Sequence, residues 1–358
     1  MIEKYYSGVI EQIYNRIGKE TRNIVMANYS NDFSIENLEV IRRYQSNEDN
    51  VFFAYSEFSY NTLVGAYEPF LDIICNMHRR FIGGSFDDFQ KECGVYYLHR
   101  QVLNSYYETG ECFREETVLL NEVAYEQRRM TMAIVDMLKR LSEVKPLMIV
   151  INRFQMASKS SIETIKYLID NPCAHIGIVL GVNAIVKGTD STVEVWDRIV
   201  ESLEDRSAIY YIGSAGPLKN NVKTTNDDEL YITMNFEQSI QEASNIMEFL
   251  DFEQARRGCR IIEHKLKFED AWIDEKSLRR FYMVYARTSV LLGEMSKAIE
   301  LTNEYKALIP ENDSEHYLSL YYFMKGTCYM YQGKLEKAGN SAKSAYDYAV
   351  LAEDDTLI

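Results

Sequence analysis

The strongest constraint on the fold is a change of sequence pattern near residue 220. Before it, short apolar runs alternate with segments that repeat apolar residues at helical spacing. The runs lie in RNIVMANY, NVFFAYSEF, KPLMIVINRF, AHIGIVLGVNAI and SAIYYIGSAG. Strands that alternate with helices lie parallel, and near-continuous apolar strands fit a sheet covered on both faces. Residues 1–218 are therefore predicted to form an α/β domain with a parallel sheet.

The rest of the chain is helical and repeats itself. YARTSVLLGEMSKAIELTNEY aligns with KGTCYMYQGKLEKAGNSAKSA at an offset of forty residues, matching Gly293 with Gly333 and Ala298 with Ala338. A weaker copy upstream carries Ala255 at the alanine position. Glycine permits a tight turn, and alanine lets two helices approach closely. Residues 219–358 are expected to form an all-α domain of tetratricopeptide-like (TPR-like) repeats, cut from something longer; a generic helical bundle is the alternative.

Composition excludes several classes of function. The net charge of −15 argues against a nucleic-acid surface, because phosphate binding needs clustered lysine and arginine. No apolar run is long enough for a membrane span, and the first residues do not resemble a signal peptide. The six cysteines include no CxxC pair, and the five histidines form no metal motif. We expect a cytoplasmic protein with reduced thiols, no metal and no membrane partner.

The first domain resembles a known family in its local patterns. VGAYEPFLDII and KRLSEVKPLMIVINRFQMASKSSIETIKYLI are similar to segments of the signal-transduction ATPases with numerous domains (STAND), a branch of the AAA-related P-loop NTPases. The likeness is closest to the versions that precede helical repeats in bacterial regulators. It implies a P-loop NTPase-like sheet that binds ATP and magnesium, and a module that commonly assembles with further copies.

The phosphate loop that this resemblance implies has lost its diagnostic residues. A working loop follows the pattern GxxxxGK[ST], in which glycine backbones and the lysine hold the phosphates. The ungapped equivalent is ANYSNDFS: Ala27 and Asp32 stand at the glycines, Phe33 at the lysine and Ser34 at the hydroxyl position. Ser34 also fits a helix N-cap. Asp32 brings a negative charge to the place where phosphates would bind.

The magnesium-binding strand of the family has changed as well. In the resemblance, LMIVI should be followed by two acids, the first of which orients magnesium and the second the attacking water. Here the strand is followed by Asn152 and Arg153. An amide is a poor ligand for a hard cation, and arginine repels one. Val9 and Ala184 also replace family arginines.

These departures together predict a fold kept without its catalysis. We expect no catalytic residue, no metal and no required cofactor, with ATP or ADP binding only if the degenerate site still holds a nucleotide. The function expected is a non-catalytic signalling or regulatory scaffold, a pseudo-ATPase whose TPR-like repeats bind a protein or peptide partner. Self-association is a further expectation. The alternative is the nucleotide-binding regulatory portion of a longer transcription regulator or nucleotide cyclase.

Overall fold

The chain divides into two compact units. A computed structural model describes residues 2–29, 38–46, 50–59, 63–112, 122–183, 193–213, 235–268, 273–312 and 314–353. The first unit comprises residues 1–110 and 127–231, and the second comprises residues 111–126 and 232–358. The sequence placed a single break between residues 218 and 219.

Where the structure describes them, residues 2–212 alternate between helices and five strands, as predicted. A π-helical turn follows the third helix over His78–Ile82, and a 3-10 turn covers Phe154–Met156. The elements in chain order are α1 (Ile2–Arg16), β1 (Ile24–Tyr29), α2 (Glu39–Ser46), β2 (Phe52–Glu57), α3 (Phe70–Met77), α4 (Phe86–Glu92), α5 (Tyr97–Thr109), α6 (Val123–Val144), β3 (Leu147–Asn152), α7 (Lys159–Asp170), β4 (Ile176–Asn183), α8 (Val193–Glu204) and β5 (Ile209–Ile212).

The five strands form one sheet in the order β2-β3-β4-β1-β5. Every neighbouring pair is parallel, which confirms the parallel sheet expected from the alternating pattern. β3 and β4 are buried along their whole length, as apolar strands covered on both faces must be. Gly177 of β4 allows α1 to lie close to the sheet, since a Cβ atom there would come within 2.8 Å of the Ile17 side chain.

The later part of the second unit is all-helical where it is described. Its helices are α9 (Phe236–Glu248), α10 (Phe252–Phe268), α11 (Glu275–Leu291), α12 (Met295–Ala307), α13 (Glu315–Tyr331) and α14 (Leu335–Leu351). α13 and α14 each begin forty residues after α11 and α12, the offset found in the sequence. No helix in the described ranges has an apolar stretch long enough to cross a membrane.

The three helix hairpins turn in the same way. Leu250, Gly293 and Gly333 each occupy the left-handed region between two helices, with φ values of 69°, 78° and 72°. Five residues beyond each turn residue stands the alanine of the repeat, and both Ala255 and Ala298 are fully buried. Glycine suits this conformation, whereas Leu250 adopts it against the steric preference of an L-residue.

A substitution at the second turn tests its dependence on glycine. A Cβ atom at Gly293 meets no other atom, so Gly293→Ala isolates the cost of the left-handed backbone. We expect a loss of about 1 kcal/mol in the free energy of unfolding, measured by urea denaturation. The matched control is Gly339→Ala, within α14 and equally free of contacts, which should gain ~0.5–1 kcal/mol. Equal effects at the two glycines would contradict this view of the turn.

Candidate functional site

The carboxyl ends of β1 and β3 are brought together by the strand order. Both strands pair with β4, which lies between them. Two strand spacings separate them, roughly 10 Å, a distance that one long side chain and one short side chain can bridge. Open parallel sheets bind their ligands outside these carboxyl ends, where the strand order reverses. A ligand site is therefore expected at the carboxyl ends of these strands, which we call the carboxyl edge of the sheet.

A tyrosine from β1 occupies this position. Tyr29, the last residue of β1, donates its hydroxyl proton to Asn152 Oδ1 over 2.6 Å. Asn152, the last residue of β3, also accepts from the backbone N–H of Arg153 at 3.0 Å. Both side chains are fully buried. An amide oxygen has two lone pairs, so these two hydrogen bonds fill its capacity as an acceptor.

Arg153 turns back toward the neighbouring strand. Its backbone lies in the left-handed region, with φ 54° and ψ 39°, which ends β3 and begins the 3-10 turn. Its Nη1 atom lies 3.1 Å from Oε1 of Glu57, the last residue of β2, and 3.4 Å from the carbonyl oxygen of Phe58. The two charged side chains are only 20% and 18% exposed. The Glu57 carboxylate is thus neutralised by the arginine that replaces an acid of the family pattern.

Two further tyrosines complete the cluster. The Tyr55 hydroxyl donates to Oε2 of Glu57, and the ring of Tyr6 from α1 meets the ring of Tyr29 edge-on. Burial raises the pKa of the Tyr6 hydroxyl well above its usual range, and nearby Tyr29, Tyr55 and Glu57 add to this effect. Tyr6 is therefore neutral at physiological pH. We name Tyr6, Tyr29, Tyr55, Glu57, Asn152 and Arg153 the strand-end cluster.

The end of β4 is closed by a side chain from the 3-10 turn. Gln155 Oε1 accepts the backbone N–H of Asn183, the last residue of β4, at 3.3 Å. The following Ser158 caps α7 by accepting the N–H of Ser161. Side chains thus hydrogen-bond to the backbone at the ends of three neighbouring strands: Arg153 at β2, Asn152 at β3 and Gln155 at β4.

The cluster offers little to a metal ion. Magnesium prefers carboxylate oxygens in an octahedral arrangement, whereas the amide oxygen of Asn152 is already doubly hydrogen-bonded and Glu57 is paired with a cation. Among the residues that the structure describes, no group of three histidine, cysteine or acidic side chains is placed to hold a metal. The hydrogen bond between Tyr29 and Asn152 and the ion pair between Arg153 and Glu57 connect β1, β2 and β3 at their carboxyl ends.

The structure places only part of the predicted site. Asn152 and Arg153 lie at the end of β3, where the sequence placed them. Ala27 is buried inside β1, paired with Gly181 and Tyr210, and therefore lies in a strand and not in a loop. The other three predicted phosphate-loop positions (Asp32, Phe33 and Ser34) lie outside the described residues.

Sequence reasoning missed the tyrosine that fills the site. Tyr29 stands only two residues after Ala27, but its importance depends on which strands are neighbours, and sequence patterns do not give the strand order. Glu57 was missed for the same reason. One signal was available in the sequence: Tyr29 and Glu57 are large polar side chains at the ends of largely apolar strands. In parallel sheets, residues at the carboxyl ends of strands lie next to the ligand site.

Neither comparison made with protein families and curated proteins gives a match. A scan against models of protein families gives no match to this chain. A search of curated proteins likewise returns no significant match.

A carboxylate at position 152 tests whether a cation can reach the strand-end cluster. Asn152→Asp restores the family's acid within a fully buried site, so burial should raise its pKa above the unfolded value near 3.9. We expect a loss of about 2 kcal/mol in stability at neutral pH, which disappears as the pH falls below about 4 because the acid is then protonated in both states.

The control for this substitution is Asn15→Asp, the same chemical change at an exposed position of α1. Urea unfolding from about pH 3 to about pH 8 measures both variants. Stabilisation of Asn152→Asp by added magnesium would contradict the closed site, since it would show a cation reaching the introduced carboxylate.

Proposed function

We propose that this chain is a non-catalytic signalling scaffold. Its α/β unit is a pseudo-ATPase of the STAND type, and its later helices form a TPR-like array that binds a protein or peptide partner. The observation that carries the proposal is the state of Asn152, whose amide oxygen is saturated by Tyr29 and by the Arg153 backbone. A residue so engaged has no lone pair to give to a metal or a metal-bound water.

The sheet supports the comparison with P-loop proteins only at a general level. It is parallel, covered on both faces, and ends in polar residues at the edge where such folds bind ligands. The scaffold role also fits the Arg153–Glu57 ion pair, because Arg153 stands at the position of the family's second acid and is held by Glu57 at 3.1 Å.

The helical unit supports a binding role through its repeated hairpins and an open groove. A groove of about 420 Å³ lies among α11, α13 and α14. Phe323 and Met330 line it and are 42% and 43% exposed, while the small Gly339 and Ala342 form part of its wall. Large apolar side chains left accessible on a repeat array are typical of surfaces that bind other proteins.

The cysteines support a cytoplasmic location. All six are free thiols in the structure. Burial raises the pKa of the Cys75 and Cys93 thiols to about 12 each. Protonated, unreactive thiols without disulfides are what a reducing compartment favours.

Nucleotide binding and hydrolysis test the proposal. We expect isothermal titration calorimetry to give no saturable binding of Mg-ATP up to millimolar concentration, and phosphate release to equal the buffer background. Asn152→Ala should leave both results unchanged, because the amide binds no metal. An active P-loop ATPase in the same assay is the positive control. Micromolar ATP affinity with magnesium-dependent hydrolysis abolished by Asn152→Ala would overturn the proposal.

The same samples distinguish the alternative of a nucleotide-binding regulator. Ligand that binds only the folded state raises its melting temperature, by an amount that grows with the ratio of concentration to Kd. A thermal-shift series with ATP, ADP and GTP, each with and without magnesium, should show no change. A shift without hydrolysis would favour the regulator that senses nucleotide over the scaffold.

A further inference from the structure

Four lysines and two tyrosines form a continuous stripe on the second unit. The stripe runs from the end of α12, along α13, to the beginning of α14. We name it the lysine–tyrosine stripe, and its members are Lys306, Tyr321, Lys325, Tyr329, Lys334 and Lys337.

The stripe is held together by cation–π contacts. The ammonium groups of Lys306 and Lys325 lie 5.2 and 5.1 Å from the centre of the Tyr321 ring. Those of Lys334 and Lys337 each lie 5.9 Å from the centre of the Tyr329 ring. Such contacts orient the lysines over the rings, of which Tyr321 is buried and Tyr329 is partly exposed.

Lys325 connects the two halves. It donates a hydrogen bond to the Tyr321 hydroxyl at 2.8 Å. This bond raises the pKa of Lys325, and the neighbouring Tyr329 and Tyr322 contribute smaller increases. Lys325 therefore lies near both tyrosines of the stripe and carries a positive charge at its centre.

In the described part of the chain, the four lysines have no carboxylate partner. In the ranges that the structure describes, no carboxylate forms an ion pair with any of them, and the hydrogen bond of Lys334 goes to the uncharged amide oxygen of Gln332. Lys306, Lys334 and Lys337 are exposed.

In the preceding repeat, the lysine equivalent to Lys337 is paired with acids. Lys297, which aligns with Lys337, lies 3.1 Å from Glu263 and 2.9 Å from Glu300. Counted from the turn residues, the Glu263 position is taken in the next repeat by Lys306, and the Glu300 position by Asn340. Two acids that hold a lysine in one repeat have thus become a lysine and an amide in the next.

We propose that the lysine–tyrosine stripe binds an acidic peptide segment of a partner protein. This deepens the proposed scaffold function and rests on it, since it names the chemistry of the partner. Carboxylates spaced along the peptide pair with the lysines, in place of the contacts that Glu263 and Glu300 make in the preceding repeat, while its apolar parts lie against the partly exposed ring of Tyr329.

A peptide fits this surface better than a polyanion or a membrane. Nucleic acids and anionic bilayers carry dense charge over long distances, so a protein of net charge −15 repels them strongly. A short peptide with a few carboxylates experiences less of that long-range repulsion, and four lysines suffice to neutralise it. The charge complementarity is local to the stripe.

Fluorescence anisotropy on the full chain tests this inference. The probes are fluorescein-labelled peptides of alternating glutamate and leucine, and of alternating glutamine and leucine as the uncharged match. The stripe variant carries Lys306→Gln, Lys325→Gln, Lys334→Gln and Lys337→Gln. The control variant makes the same change of net charge with Lys4→Gln, Lys19→Gln, Lys276→Gln and Lys343→Gln, and circular dichroism verifies that both are folded.

We expect the glutamate peptide to bind, and its affinity to fall as salt concentration rises. The stripe variant should bind it at least about tenfold more weakly, and the control variant within about twofold of the unmodified chain. Equal loss in the two variants, or equal binding of the glutamate and glutamine peptides, would overturn the proposal. Binding to phosphatidylserine vesicles or single-stranded RNA in place of the peptide would do the same. ATP hydrolysis, measured on the same samples, reports on the pseudo-ATPase independently of these results.

Discussion

The hydrogen bond from Tyr29 to Asn152 is the interaction on which the account of the first unit depends. It crosses β4 to join the ends of β1 and β3, and it fills an amide oxygen that would otherwise point to the ligand side of the sheet. Arg153 and Glu57 extend the same arrangement to β2. An edge that parallel sheets use for binding is here used to hold the strands together.

The second unit is built from a repeated helix hairpin. Positions at which one repeat differs from the others suggest function. The same left-handed turn recurs at Leu250, Gly293 and Gly333. Lys297 lies over the Tyr285 ring and is paired with Glu263 and Glu300; in the next repeat the lysines lie over tyrosine rings without these two acids. Comparison between repeats thus separates residues that maintain the hairpin from residues that give one hairpin a distinct surface.

Much of the fold follows from local pattern. Each of the five strands was predicted within a few residues, because an apolar run between helical segments has few other solutions. The offset of forty residues predicted the equivalence of α11–α12 with α13–α14, since Gly293 and Gly333 mark turns. Asn152 and Arg153 were predicted at the end of β3 for the same local reason.

The rest required the arrangement of distant segments. The sequence does not state that β4 lies between β1 and β3, so the meeting of Tyr29 with Asn152 could not be read from it. The pairing of Arg153 with Glu57 depends on the same order. An ungapped comparison also placed Ala27 in a phosphate loop, whereas the strand continues through it to Tyr29.

The most direct measurement is the coupling energy between Tyr29 and Asn152. A double-mutant cycle of Tyr29→Phe and Asn152→Ala, followed by urea unfolding, isolates their interaction from the cost of each change alone. A buried hydrogen bond predicts a coupling of about 1 kcal/mol. Effects that add to within about 0.3 kcal/mol would contradict the account. The amide of Asn152 would then be free for a ligand, and the edge of the sheet would be open.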